Sequence, residues 1–402
     1  MKKVWTWLTI VSILIICFYT HSVEAETEPI PLYEQWQEMN SKLAREFPEG
    51  REIIEERTPY TKTFKQSGSK TVYLSDDIIH YKNNQGDFRE IETEINENFN
   101  LFGYNFSGYL HSVNDNSLRT QFGRTLRQGI KVETGDYSLD IRPLNIHGFT
   151  GSVENNKKIY SEVWNNVDLH YEVYGGSLKE FIVIKNRDAQ SSFDFQIKSN
   201  KSLDLKERED GLILLDSITK EEIFKFDIPF VFDKVSIKPD YDHVRWEYKK
   251  EGKVIYLTIK VDEEWLNHRD RVFPVVIDPT TEDITSTTDS YKNLKIYVSK
   301  DQTIKWRVKM TLHTPTVVQY QPGNFYIENS SGNKIRLKDT SGSVYTYLES
   351  WDTRYDRTGY LDIEGGKSYY VNVRAKSWRG WDLKRKYGKT EAWITYYDEP
   401  TS

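Results

Sequence analysis

The sequence predicts a mainly β protein: antiparallel β-sandwich modules preceded by one short N-terminal helix. Three observations carry this. Among 402 residues there are 27 Tyr, 18 Phe and 11 Trp but 3 Met, a bias toward side chains that fit a pleated, half-buried surface. Apolar residues recur with period two along most of the chain, which is the spacing of one sheet face. The runs are short, follow one another at roughly 8–12 residues and are separated by Gly, Asn and Asp, as in antiparallel sandwiches. Composition removes other classes. The aromatic content excludes a solvating, disordered chain. With 22 Gly and a mean hydropathy of −0.69, collagen and a multi-span membrane protein are excluded too. A net charge of −6 gives no reason to expect nucleic acid as a partner.

Residues 1–25 read as a signal peptide. Lys2 and Lys3 precede the apolar run Val4 to Tyr19, and Val23-Glu24-Ala25 suits cleavage after Ala25. The single cysteine, Cys17, leaves with that segment, so no disulfide, thiol nucleophile or thiolate metal site is expected afterwards. Residues 26–50 form a helix and linker. Leu32, Trp36, Met39, Leu43 and Phe47 make one apolar stripe over 31–47, with Pro31 in the first turn and Pro48 as the stop. Asp398 to Ser402 shows no hydrophobic tail or sorting signal, so no membrane contact is expected once the signal is removed.

Strand patterns then take over. Tyr137, Leu139 and Ile141 share a face. Val244, Trp246 and Tyr248 lead through Lys250-Glu251-Gly252-Lys253 to Ile255, Leu257, Ile259 and Val261, a hairpin over 244–261. Leu212–Leu215 and Ile223–Phe226 form a second pair. A strand ends at Asp278-Pro279, and the polar stretch Thr280 to Ser290 reads as a linker. Residues 281–402 carry 19 Lys+Arg against 15 Asp+Glu, a net of +4. With 55 and 61 in the whole chain, residues 1–280 carry 36 against 46, a net of −10. Two modules of opposite sign, 51–280 and 281–402, are expected.

Four segments bear a family resemblance: REIIEERTPYTKTF (51–64), IIHYKNNQGDFREIETEI (78–95), IYSEVWNNVDLHYEVYGGSLKEFIVIKN (159–186) and RVFPVVIDPT (271–280). In this order they resemble the N-terminal region of secreted Gram-positive wall-associated proteins of the Rhs type, which are large polymorphic toxins and related surface proteins. The resemblance covers roughly 50–280. It implies a secreted or wall-located protein with that family's β module. The Tyr-Asp repeat shell and the toxin tip have no counterpart in this sequence, so no toxic activity and no catalytic residue carries over.

Read as physical chemistry, these motifs are structural. Asn84-Gln85-Gly86-Asp87 is a turn, with Gly86 supplying positive φ. Trp164, Val167, Leu169 and Tyr171 alternate as a strand, and Gly175-Gly176 is the next turn. His80 is expected to be a packed or hydrogen-bonded residue. Lys179 and Glu180 read either as a buried pair that fixes register or as a functional pair. The sequence has no H-E-x-x-H, G-x-S-x-G or phosphate-binding glycine motif, and it nominates no catalytic residue, metal ligand or cofactor.

The C-terminal segment is the candidate binding module. Tyr369, Val371 and Val373 oppose Tyr370, Asn372 and Arg374. Ala392, Ile394 and Tyr396 oppose Trp393, Thr395 and Tyr397. One face builds the core, so Tyr370, Trp393 and Tyr397 are expected on the other, where aromatic rings can stack on sugars. A loop with Trp378, Arg379, Trp381, Lys384, Arg385, Lys386 and Lys389 adds basic charge suited to anionic wall polymers. GGKSYYVNV (365–373) is similar to the last hairpin of small β-sandwich modules appended to secreted bacterial enzymes. The leading expectation is a secreted, non-catalytic protein that binds cell-wall glycan or teichoic acid. The alternatives are a protein–protein interaction module related to truncated polymorphic toxins, and a polysaccharide-acting enzyme.

Overall fold

The computed structural model describes residues 50–66, 68–83, 85–98, 108–209, 211–235, 239–283, 292–312, 323–349, 354–375 and 388–397. The signal peptide expected over 1–25 and the helix expected over 31–47 lie outside these residues. Within them the chain is strand and turn, with two 3-10 turns and the four-residue helix Glu263–Leu266. The mainly β, antiparallel expectation holds.

Two sheets share the larger core. One runs through eight strands from Asn96–Glu97 to Val244–Glu251, and the other has ten. Their pairings are antiparallel, and the alternation seen in the sequence sets their inner faces. Leu139 and Ile141, Phe193 and Ile197, and Ile255, Leu257, Ile259 and Val261 meet Leu169, Tyr171 and Val173 across the core. The 244–261 hairpin turns at Gly252, whose φ of 59° needs no side chain to be accommodated. Trp164 is fully buried. Its ring lies 5.1 Å from that of Phe193 and 5.9 Å from that of Phe195, edge-on to both. Its Nε1–H donates to the Leu144 carbonyl at 2.9 Å, so the one polar atom of the indole costs nothing to bury.

A second core lies between a sheet of eight strands and a sheet of four. Val371, Val373, Ile296, Phe325 and Ile327 come from the smaller sheet. Ile304, Trp306, Val308, Ala392 and Ile394 come from the larger. The larger sheet is not built from the C-terminal segment alone. The hairpin Thr61–Gln66 and Ser69–Ser75 joins it, with Ser69–Ser75 paired to Gly388–Tyr397 from Ser69↔Tyr397 to Ser75↔Glu391. Leu74 enters this second core. Alternation along 61–75 says which face is apolar, not which sheet receives it, so reading along the chain grouped this hairpin with the residues that follow.

A further difference lies at the expected linker. Thr280–Asp283 is a strand, hydrogen-bonded between Ser177–Ile184 and Glu222–Asp227 in the ten-stranded sheet. β-branched threonines suit a strand as well as a polar connection.

The short hairpin His80–Lys82 with Phe88–Glu90 follows the 61–75 hairpin and turns at Gly86, φ 87°. Just before it, the chain passes the Gly175 turn so closely that a Cβ there would meet the Ile78 carbonyl oxygen at 2.9 Å. Asn116 fastens this passage. Its amide donates to the carbonyls of Glu92 and Tyr174, and its Oδ1 accepts from the N–H groups of Gly176 and Leu118.

Candidate functional site

Trp378, Arg379, Trp381, Lys384 and Arg385 lie outside the described residues, as does Lys386. The other three expected ligand-binding residues are described, and they do not form one platform. Tyr370 is partly buried on the outer face of the four-stranded sheet. Trp393 and Tyr397 project from the outer face of the eight-stranded one. The alternation correctly separated inner from outer side chains on each strand, yet the two strands belong to sheets that face away from each other. Trp393 is also not an open ring. It is 9% exposed, lies 5.2 Å from the Tyr73 ring and has Arg307 and Lys309 over its face. Tyr397 is exposed. A groove of about 800 Å³ on the same module is lined by Arg336, Lys338, Asp339, Tyr360 and Asp362 among others.

Lys179 and Glu180 are not a pair. Adjacent strand residues point to opposite faces, and Lys179 reaches Asp278 at 3.6 Å. Glu180 sits directly across from Tyr171 on the core-facing side, its Oε1 buried without a hydrogen-bond partner among the described residues, as is the Tyr171 hydroxyl. Burial pushes the Glu180 carboxyl up to about 8.

A polar cluster is assembled from the first two motifs, 51–64 and 78–95. The hairpin turn centred on Gln85 sets the register His80↔Glu90, so these two side chains share a face. Strand Arg51–Glu52 brings Glu52 to them through its pairing Glu52↔Phe64. Among the described residues, Glu52, His80 and Glu90 are the group of histidine and carboxylate side chains whose ligand atoms gather within 4.8 Å of one another. His80 is fully buried. Its Nδ1 lies 2.6 Å from the Thr58 carbonyl, and a carbonyl only accepts, so Nδ1 carries the hydrogen. Its Nε2 is buried with no hydrogen-bond partner among the described residues.

Two cations attend the carboxylates. Arg57 grips Glu52 with both arms of its fork, Nε to Oε1 at 2.7 Å and Nη2 to Oε2 at 2.8 Å. It also reaches Glu90 Oε1 at 3.0 Å, and Lys62 reaches the same oxygen at 2.9 Å. Burial pushes the Glu52 carboxyl up, but the Arg57 hydrogen bonds and the charges of Arg57 and Lys62 hold it below the ordinary carboxylate value. Burial pulls the His80 imidazole below its ordinary value against the Thr58 bond, and Arg57 and Lys62 add to the drop. The site therefore brings together an imidazole whose Nε2 has no hydrogen-bond partner among the described residues and the carboxyl groups of Glu52 and Glu90. Reading the sequence for local spacing missed Glu52 and Glu90. The available signal was the hairpin turn, since His80 and Glu90 stand five residues either side of Gln85.

No family model matches the chain. It is similar to the tRNA(Glu)-specific nuclease WapA of Bacillus subtilis subsp. natto, 27% identical over 81% of this chain and 16% of the relative. It is 26% identical to the tRNA3(Ser)-specific nuclease WapA of Bacillus spizizenii, over 89% of this chain and 17% of the relative. The tRNA nuclease WapA of Bacillus subtilis strain 168 matches at 27% over 81% of this chain. The chain thus spans about a sixth of the length of the curated relatives it matches. A fructofuranosidase from Schwanniomyces occidentalis aligns with a TM-score of 0.12 and 8% identity over 84% of this chain and 92% of that one, and carries no argument.

Proposed function

We propose that this chain is an extracellular binding module of the kind that wall-associated toxin proteins carry, and that it docks a protein partner at the Gram-positive wall. The observation that supports this is the alignment. It runs over 81–89% of this chain but 16–17% of each relative, so what is shared is one portion of much longer proteins. The relatives are named for tRNA cleavage, and we assign this chain none. A protein partner is preferred to a sugar because Tyr370 and Trp393 stand on different sheets and Trp393 is packed beside Tyr73. Among the described residues, no helix is long and apolar enough to cross a membrane.

A second reading, binding of an anionic wall polymer, draws on the net charge of +4 over 281–402 and on the groove that holds Arg336, Lys338 and exposed Tyr360. Sedimentation of the full chain with Gram-positive sacculi separates the two. Docking to a protein predicts co-sedimentation that survives teichoic acid removal and high salt and is lost when the sacculi are treated with protease. Binding that needs teichoic acid and fades with salt would establish the second reading instead. Salt-insensitive binding to bare, protease-treated sacculi, abolished by Trp378→Ala with Trp381→Ala, would return the glycan platform. No sedimentation under any condition would sink all of them.

A further inference from the structure

We propose that Glu52, His80 and Glu90 form a binding site for one divalent transition-metal ion of the zinc class, with solvent completing its coordination. The argument begins with His80. A metal-binding histidine characteristically donates one ring N–H to a carbonyl, which fixes the tautomer and aims the other nitrogen at the ion. His80 makes the first of these contacts, with Nδ1 on the Thr58 carbonyl at 2.6 Å, which leaves Nε2 as the nitrogen available to an ion. Its Nε2 lone pair is buried and lacks a hydrogen-bond partner among the described residues. An unsatisfied buried acceptor of this kind costs stability, and an ion bound to it would remove that cost.

The carboxylates supply the rest. The ligand atoms of Glu52, His80 and Glu90 lie within 4.8 Å of one another. An ion at about 2.0–2.2 Å from each needs them somewhat closer. Glu90 can provide that movement, because its side chain is 49% exposed, whereas Glu52 and His80 are held. One imidazole with two carboxylates favours zinc over calcium or magnesium, which prefer oxygen-only shells.

Arg57 and Lys62 compete for the same carboxylates. Both reach Glu90 through Oε1, so rotation of the exposed carboxyl offers Oε2 to the ion, and each Glu52 oxygen keeps a second lone pair beside the Arg57 fork. The competition lowers affinity and marks this site, because removing a competing cation must tighten ion binding, while removing a ligand must weaken it.

The test is titration of the full chain, purified without a histidine tag, with zinc chloride against a chromophoric chelator. Wild type is expected to take up one equivalent. His80→Ala should lose it, Glu90→Gln should weaken it by about 10-fold or more, and Lys62→Met should tighten it by about 10-fold. Glu90 is exposed enough that Glu90→Gln keeps the fold, so the test stands even where His80→Ala unfolds the hairpin. Absence of uptake by wild type overturns the site. So does uptake by wild type that both His80→Ala and Glu90→Gln reproduce, which would assign the zinc to scattered surface groups.

Discussion

The Tyr73 ring lies 5.2 Å from the Trp393 ring, tilted by 48°, and the Tyr73 hydroxyl donates to Glu391 on the same strand as Trp393. One hairpin near the start of the described chain is thereby fastened to its last strand by ring packing and a buried hydrogen bond. Truncating either ring to alanine is expected to cost about 3–5 kcal/mol. The double mutant should recover a coupling of about 0.5–1.5 kcal/mol. Urea unfolding of the four proteins of the cycle measures it, and strictly additive losses would show that the two rings do not support each other.

Asn116 uses two donors and its acceptor oxygen on four backbone groups from three parts of the chain. Replacement by alanine strands them in a buried place, where each unmade bond is costly. Asn116→Ala should lose about 3 kcal/mol, and Asn116→Asp should also lose stability because it keeps the acceptor but neither donor. A denaturant midpoint unchanged in Asn116→Ala would contradict this account of how the Gly175 turn is held.

Glu180 should make stability fall as pH rises. Its folded carboxyl is held up to about 8 by burial, against 4.5 when free. Between those values the folded chain keeps a proton that the unfolded chain has released. The favourable contribution is therefore complete below about 4.5 and is lost as pH climbs to about 8, after which the slope flattens. Glu180→Gln removes the ionisable group at equal size. Its melting temperature should exceed that of wild type at pH 8 and match it near pH 4.5. Parallel pH profiles for the two proteins would argue against a buried, protonated Glu180.

A fragment of residues 284–402 should fold poorly alone. It lacks Ser69–Ser75, which pairs along Gly388–Tyr397, and it lacks Leu74 from the core. An unpaired strand edge and an open apolar seam favour self-association. The fragment is expected to bind a hydrophobic dye and to be cut rapidly by protease. Adding a peptide covering residues 50–78 should reverse both. A protease-resistant, monomeric fragment without the peptide would refute this dependence.

The faces of strands were legible in the sequence, but their partners were not. Ile394 and Val371 are buried and Tyr397 is exposed, as alternation required, because side-chain direction is a local property of extended backbone. Whether Tyr370 and Trp393 share a surface depends on which sheet each strand enters, and pairing between distant segments decides that. The same limit hid the hairpin 61–75, which the sequence placed within 51–280 and which docks on residues 388–397. His80 was visible as a residue, but its place beside Glu52 and Glu90 follows from the register of one hairpin and the position of another strand.

The bond between Tyr73 and Glu391 spans 318 residues, and this gives the chain a clock. Ribosomes add roughly 5–20 residues per second. The strand Ser69–Ser75 therefore waits on the order of tens of seconds after its own synthesis before its partner exists. Throughout that interval the chain carries an open hydrogen-bonding edge that invites wrong partners. A chain that stops short of residue 388 leaves the edge of Ser69–Ser75 without the strand that covers it here.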